Sequence, residues 1–290
     1  MNASMPIPRT RRRLSRREAW LIGASVVLLV AGLVAPDMTG PGAGSVTLSD
    51  VRTIVGLPNA MDVLTSLPSL LLGLLGLSGL HCLERSHEHG RHAPGQAHDE
   101  LPGSALDCAW LFFAGLVLVA AGSAFYHLQP DDMLRLAGDR AAMAVALAAW
   151  FGRAGSAPAA QGAGGRPACV ALAAGLLAVA VFHETGNVTP WAVVQFGGMA
   201  LVLWMASMRA VSGGNRPMQL KLVWIIAAYA LAKVLEMADG AVYELTLHLV
   251  SGHSLKHVVA ALAALPVLAA VDGLAHEPLM HNPRAAVVTT

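Results

Sequence analysis

Charge is what this chain has least of. Asp, Glu, Lys and Arg make up only 13% of its 290 residues, against roughly 25% in a soluble domain, so much of the folded surface must face something other than water. Nineteen basic and 18 acidic residues leave a net charge of +1. That net charge argues against a nucleic-acid partner. Cysteine is scarce too: Cys82, Cys108 and Cys169 stand apart, with no CxxC pair and no disulfide framework, and read as small packing residues. No phosphate-binding loop is present; the glycines at 197–198 and 212–213 are packing and loop positions. A nucleotide cofactor is therefore excluded as well.

What the chain does have is apolar length. Hydrophobic residues make up 55% of it, and its mean hydropathy is +0.57. Runs approaching the roughly 17–25 residues that span a bilayer occur at about 20–36, 62–83, 105–128, 131–151, 168–183, 189–211, 219–239 and 250–273. They predict an all-α, polytopic membrane helix bundle with no internal repeat and no separate soluble domain. Stretches rich in Gly, Pro or His at 37–61, 84–104, 152–167 and 212–218 read as loops.

Basic residues set the orientation. Arg9, Arg11, Arg12, Arg13, Arg16 and Arg17 hold a basic arm, residues 1–19, in the cytoplasm. Arg85, Arg91, Arg153, Arg166, Arg209, Arg216 and Lys221 then fall on the same side, as does the tail 274–290, while Asp37, Asp50, Asp131, Asp132 and Glu184 fall on the other. The first apolar run reads as an anchor rather than a cleaved signal, because no small-x-small site follows it closely.

Two short patterns carry the chemistry: Ser123-x3-His127 in GSAFYH and His253-x3-His257 in GHSLKH. Residues four apart share one helix face, so each pattern points two polar groups the same way. Counting spans from a cytoplasmic start puts Ser123, His127, His253, His257 and Asp139 all in the exoplasmic leaflet. A carboxylate inside lipid costs roughly 2.5–3.5 kcal/mol on insertion scales. Asp139 must therefore either pair with Arg140 or Lys233 or face a polar cavity shared with the histidines. A lone buried histidine is usually a hydrogen-bonded core residue. Three on one side, two of them beginning a helix, suit zinc with an open fourth position. Zinc lowers the pKa of bound water to about 7, Asp139 can accept and return the proton, and Ser123 can hold the carbonyl or the developing oxyanion.

Other polar groups have plainer readings. Lys233, Glu236 and Asp239 are spaced by three and should point inward as ion pairs, or Glu236 and Asp239 support the metal-bound histidines as hydrogen-bonding carboxylates. His87, His89, His92 and His98 sit in a solvated cytoplasmic stretch, and His183 with Glu184 ends a helix at the exoplasmic interface.

The segments GSAFYHLQPDD, GDRAAM, AKVLEMADGAVYELT and SGHSLKHVVAALAA resemble the bacterial branch of the alkaline ceramidase family. Its superfamily also includes adiponectin- and progestin-type receptors and hemolysin III-like proteins. LPNAMDVLTSLPSLLLGLLGL resembles that family's first core helix and its lead-in, so the resemblance covers roughly 48–273. It implies a seven-helix core, with 20–36 as an additional amino-terminal span. It also implies zinc held by His127, His253 and His257, with Asp139 as the proton-shuttling aspartate and Ser123 as the serine beside the metal. Eukaryotic members carry a calcium site before the first core helix. Here that stretch offers Asp50, Asn59 and Asp62 and no tryptophan, a thin set for a cation that takes 6–8 oxygens. Asp62 is equally suited to capping its helix.

The expectation is a multi-pass membrane zinc hydrolase that cleaves a ceramide-like lipid amide to a fatty acid and a long-chain amine. A receptor-like protein with structural zinc and an ion transporter are the alternatives. Transport is disfavoured because the ionisable residues thin out toward the cytoplasmic side.

Overall fold

The structure, a computed structural model, describes residues 14–39, 48–91, 103–155, 165–210 and 222–276. Among them there is no strand; an isolated bridge joins Ile54 to Leu57. The regular elements are helices: α1 (Arg16–Val34), α2 (Ala60–Leu64), α3 (Leu67–Arg91), α4 (Gly103–His127), α5 (Met133–Gly155) and α6 (Gly165–Thr185), then α7 (Thr189–Ala192), α8 (Gly198–Ala210), α9 (Leu222–Met237), α10 (Asp239–Leu245), α11 (Gly252–Leu262) and α12 (Leu265–His276). A π-helical turn, Val193–Gly197, joins α7 to α8. Among the described residues, five stretches are long and apolar enough to cross a membrane: Arg16–Val34, Ala60–Glu88, Ala105–His127, Gly165–Thr185 and Gly252–Leu274. α5 is also long, but Arg135, Asp139 and Arg140 crowd its first half, and α9 has only 16 residues.

Two apolar runs that look continuous in the sequence are broken, each at a proline. Between α2 and α3 the Thr65 hydroxyl donates to the Met61 carbonyl (2.7 Å) and the Ser66 hydroxyl to the Asp62 carbonyl (3.1 Å). Pro68 has no N–H for the Leu64 carbonyl, so the helix restarts. Between α11 and α12, Pro266 likewise cannot serve the carbonyl of Leu262. The indole N–H of Trp224 on α9 donates to that oxygen instead, at 3.2 Å.

Several expected boundaries move. α1 starts at Arg16, inside the expected basic arm, because Ser15 and Glu18 form a capping box: the Glu18 N–H donates to Ser15 Oγ (3.2 Å) and the Ser15 N–H to Glu18 Oε2 (2.9 Å). The expected 84–104 loop is helical as far as Arg91. His92 and His98 lie outside the described residues, as do Arg9 and Arg11–Arg13. α10, which lies between the expected runs 219–239 and 250–273, is a helix, and α12 continues to His276, three residues into the expected tail.

Close helix contact comes from small residues, as membrane bundles require where lipid leaves little hydrophobic drive between helices. A Cβ added at Gly115 or Gly122 on α4 would lie 2.9 Å from the Ala146 Cα or 3.1 Å from the Asp139 Cα on α5. α4 and α5 are thereby drawn together along two turns, with Asp139 held level with Ser123. At the opposite end of the bundle, Leu80, Leu83, Phe112, Phe113, Leu116, Val267 and Val271 from α3, α4 and α12 form an apolar cluster.

Candidate metal centre

The carboxyl end of α4, the start of α5 and the start of α11 meet at one end of the bundle, where α2 closes over them. α11 is fixed at its first turn. Ser251, at its N-cap, accepts from the Ser254 N–H (3.0 Å), satisfying one of the free amides of a helix start. Asp239 Oδ1 accepts from the His253 N–H (2.6 Å), and Oδ2 accepts from the Ser49 N–H (2.8 Å). Gly252 is required here: a Cβ would lie 2.2 Å from the Leu235 carbonyl oxygen and 2.8 Å from the Asp239 Cα. The i, i+4 spacing then places His253 and His257 on one face, opposite His127.

The three imidazoles converge through the same ring atom. Nε2 of His127 lies 3.3 Å from Nε2 of His253 and 3.2 Å from Nε2 of His257. Ligands 2.0–2.1 Å from a common centre and a tetrahedral angle apart are separated by about 3.3 Å. The donor set therefore fits a zinc-sized ion in both chemistry and spacing. Among the described residues, these three side chains form the cluster with metal-binding geometry, all ligand atoms within 4.8 Å of one another. His127 and His253 are each 1% exposed, and His257 is half-buried. Coordination requires neutral imidazole.

The other expected site residues fall around this centre in distinct ways. Ser123 is 2% exposed, one turn deeper than His127, with its hydroxyl 3.3 Å from that of Ser66. Asp139 is partly buried against Gly122. It interacts electrostatically first with Lys256, the residue before His257, and then with Arg140, so Lys256 rather than Lys233 is its leading cationic partner. Glu236 accepts from both Lys233 and Lys256 (2.7 Å to the latter), which makes it the centre of a partly buried ion triplet rather than a support for a histidine ring. Asp239 does hold one of the three histidines, but through the backbone N–H of His253.

The three residues considered for calcium each have another partner. Asp50 accepts from Arg52 Nε at 2.7 Å. Burial alone would raise its carboxyl pKa, but the Arg52 guanidinium and N–H hold it below the ordinary value. Asn59 turns left-handed (φ 45°) and donates its amide to the His127 carbonyl (2.8 Å), satisfying a terminal acceptor of α4. Asp62 does not cap α2, which starts two residues earlier; it is wholly buried and accepts from the Ser254 hydroxyl (2.6 Å). The histidine pair His253/His257 and the partner His127 were legible in the sequence, whereas Ser66, Ser254 and Lys256 were not. Only the second helix-spaced polar set, Asp62-x3-Ser66, could have pointed to them.

Comparison with protein families, with curated proteins and with solved structures found no match in any of the three.

Proposed function

We propose that the chain is a zinc-dependent membrane hydrolase that cleaves the amide of a ceramide-like lipid. In this proposal a seven-helix core carries an additional amino-terminal span (α1), the amino terminus is cytoplasmic, and the centre opens to the exoplasmic leaflet. The observation that carries the reading is the convergence of three Nε2 atoms at tetrahedral-edge spacing, beside a serine and a partly buried carboxylate at the same depth. The resemblance of these segments to alkaline ceramidases supports the choice of substrate.

Zinc, when bound, supplies a Lewis acid and makes water acidic enough to attack at neutral pH. His127, His253 and His257 hold it. Asp139 takes a proton from the attacking water as the bond to the carbonyl carbon forms, and returns it to the nitrogen as the C–N bond breaks. The products are a fatty acid and a long-chain amine. Ser123 donates a hydrogen bond to the amide carbonyl oxygen, where negative charge develops. The apolar helix faces take the acyl chain, so the amide approaches from the bilayer rather than from water.

The test is metal analysis of the full chain purified in detergent, with fatty-acid release measured from a panel of lipid amides. One zinc per chain and release from a ceramide are expected, with both abolished in His257→Ala. A protein without stoichiometric zinc, or hydrolysis unchanged in His257→Ala, overturns the proposal. Bound zinc with no turnover on any amide favours the receptor-like alternative.

A further inference from the structure

We infer that Asp62 is a positioning residue for the metal centre: from α2 it orients the His127 ring and ties the two ligand-bearing helices together. This deepens the zinc reading above and rests on it. Asp62 is 0% exposed and His127 is 1% exposed. One carboxylate oxygen, Oδ1, accepts from Ser254 on α11. The other, Oδ2, has no hydrogen-bond partner; neither does Nδ1 of His127, and the two atoms lie 4.0 Å apart.

Buried polar atoms are almost always paired, and a carboxylate oxygen shut away from water without a donor is costly. These two face each other across a gap that a small ring torsion closes or a single water bridges. The proton on His127 must then sit on Nδ1, and the Nε2 lone pair points at the Nε2 atoms of His253 and His257. A carboxylate behind a metal-bound imidazole fixes tautomer and ring orientation together and makes the ligand more basic.

The neighbouring carboxylates are committed elsewhere. Glu236 holds two lysines, Asp239 takes the N–H groups of His253 and Ser49, and the first electrostatic partner of Asp139 is Lys256. Asp62 also has a rigid mount. Ser254 is itself held by the N-cap Ser251, and Asn59, one turn before Asp62, donates to the backbone carbonyl of His127. α2 thus grips α4 at both the backbone and the ring of one ligand, and grips α11 between the other two.

Zinc affinity is measured by chelator competition on the detergent-solubilised full chain, and the visible spectrum is recorded with Co2+ in place of zinc. Asp62→Asn keeps the shape and an acceptor for Ser254 but presents an N–H2 to the Nδ1–H. It is expected to bind zinc about 10–100-fold more weakly and to shift the Co2+ bands, while the metal-free protein stays folded. Ser254→Ala, which frees the carboxylate without removing it, gives a smaller loss in the same direction and serves if Asp62→Asn does not fold. Unchanged affinity and spectrum in the folded variant overturn the inference. Wild-type hydrolysis assayed in parallel separates the two proposals. Turnover with an unaffected Asp62→Asn sinks the positioning role alone; weakened zinc without wild-type turnover sinks the hydrolase alone; and a wild type that binds no zinc sinks both.

Discussion

The two halves of α4 make a useful contrast. Its first turns carry Phe112 and Phe113, which pack edge-on to each other at 5.4 Å; Phe112 also packs edge-on to Trp150 of α5 at 5.3 Å. Its last turns carry Ser123 and His127, whose surroundings are hydroxyls, carboxylates and imidazoles. At the apolar end the contacts are non-directional, and many side chains of similar volume could fill the same space. At the polar end the contacts are directional hydrogen bonds, such as the Ser254 hydroxyl to Asp62 and the His253 N–H to Asp239. α2, Ser251 and Asp239 hold histidine-bearing helices that apolar packing alone would leave free to slide. The apolar end therefore supplies stability, and the polar end supplies geometry.

The sharpest way to break that division is Phe113→Ala. Phe113 is fully buried, and its ring fills the space beside Gly76 on α3, where a Cβ would come within 2.2 Å of it. The truncation should cost about 3–5 kcal/mol of stability, read from denaturant unfolding in detergent, with zinc affinity unchanged. If zinc affinity falls as well, the two ends are coupled and the division fails.

Gly252→Ala probes the other end. The new Cβ meets backbone, the Leu235 carbonyl oxygen, which cannot swing aside as a side chain can. α11 must move, at a cost of about 1–3 kcal/mol. The expected signature is the reverse of Phe113→Ala: a smaller loss of stability but a large loss of zinc affinity, because His253 follows directly. Retained affinity would show that the start of α11 tolerates displacement and that the hydrogen bonds around it are incidental.

What the sequence reveals of this arrangement follows the same contrast. Apolar length located most of the long helices, and the i, i+4 spacing of His253 and His257 put both on one face, because these properties are local. The breaks at Pro68 and Pro266 were also written locally, yet continuous hydropathy masked them. The part played by Asp62 was not local at all. Its partners are residues 127 and 254, the latter 192 positions away, and nothing about an aspartate near a helix start distinguishes a cap from a carboxylate behind a ligand. Lys256 was hidden similarly, since its pairing with Glu236 depends on how α9 and α11 cross.

The smallest expected effect lies at the rim of the polar end, where Arg52 joins two connections. Its guanidinium pairs with Asp50 and donates to the Leu249 carbonyl (2.8 Å), and it lies over the Tyr243 ring at 5.7 Å. Asp50 is buried, and only Arg52 keeps its folded-state pKa below the ordinary 3.8. A depressed carboxyl pKa contributes stability that is present above the unfolded value and lost as pH falls through the folded one. Arg52→Met removes the restraint and leaves burial to push Asp50 upward, so the variant carries its penalty while Asp50 is ionised and sheds it on protonation. The melting temperature of Arg52→Met should therefore fall below wild type by only about 2 °C at neutral pH. The gap should narrow once Asp50 of the variant protonates and close only as the pH falls below 3.8, through the depressed pKa of the wild type, while zinc affinity at neutral pH is unchanged. A gap that persists or widens on acidification would mean that Arg52 acts through Leu249 and Tyr243 rather than through the Asp50 charge, which would make the rim a matter of packing, like the apolar end.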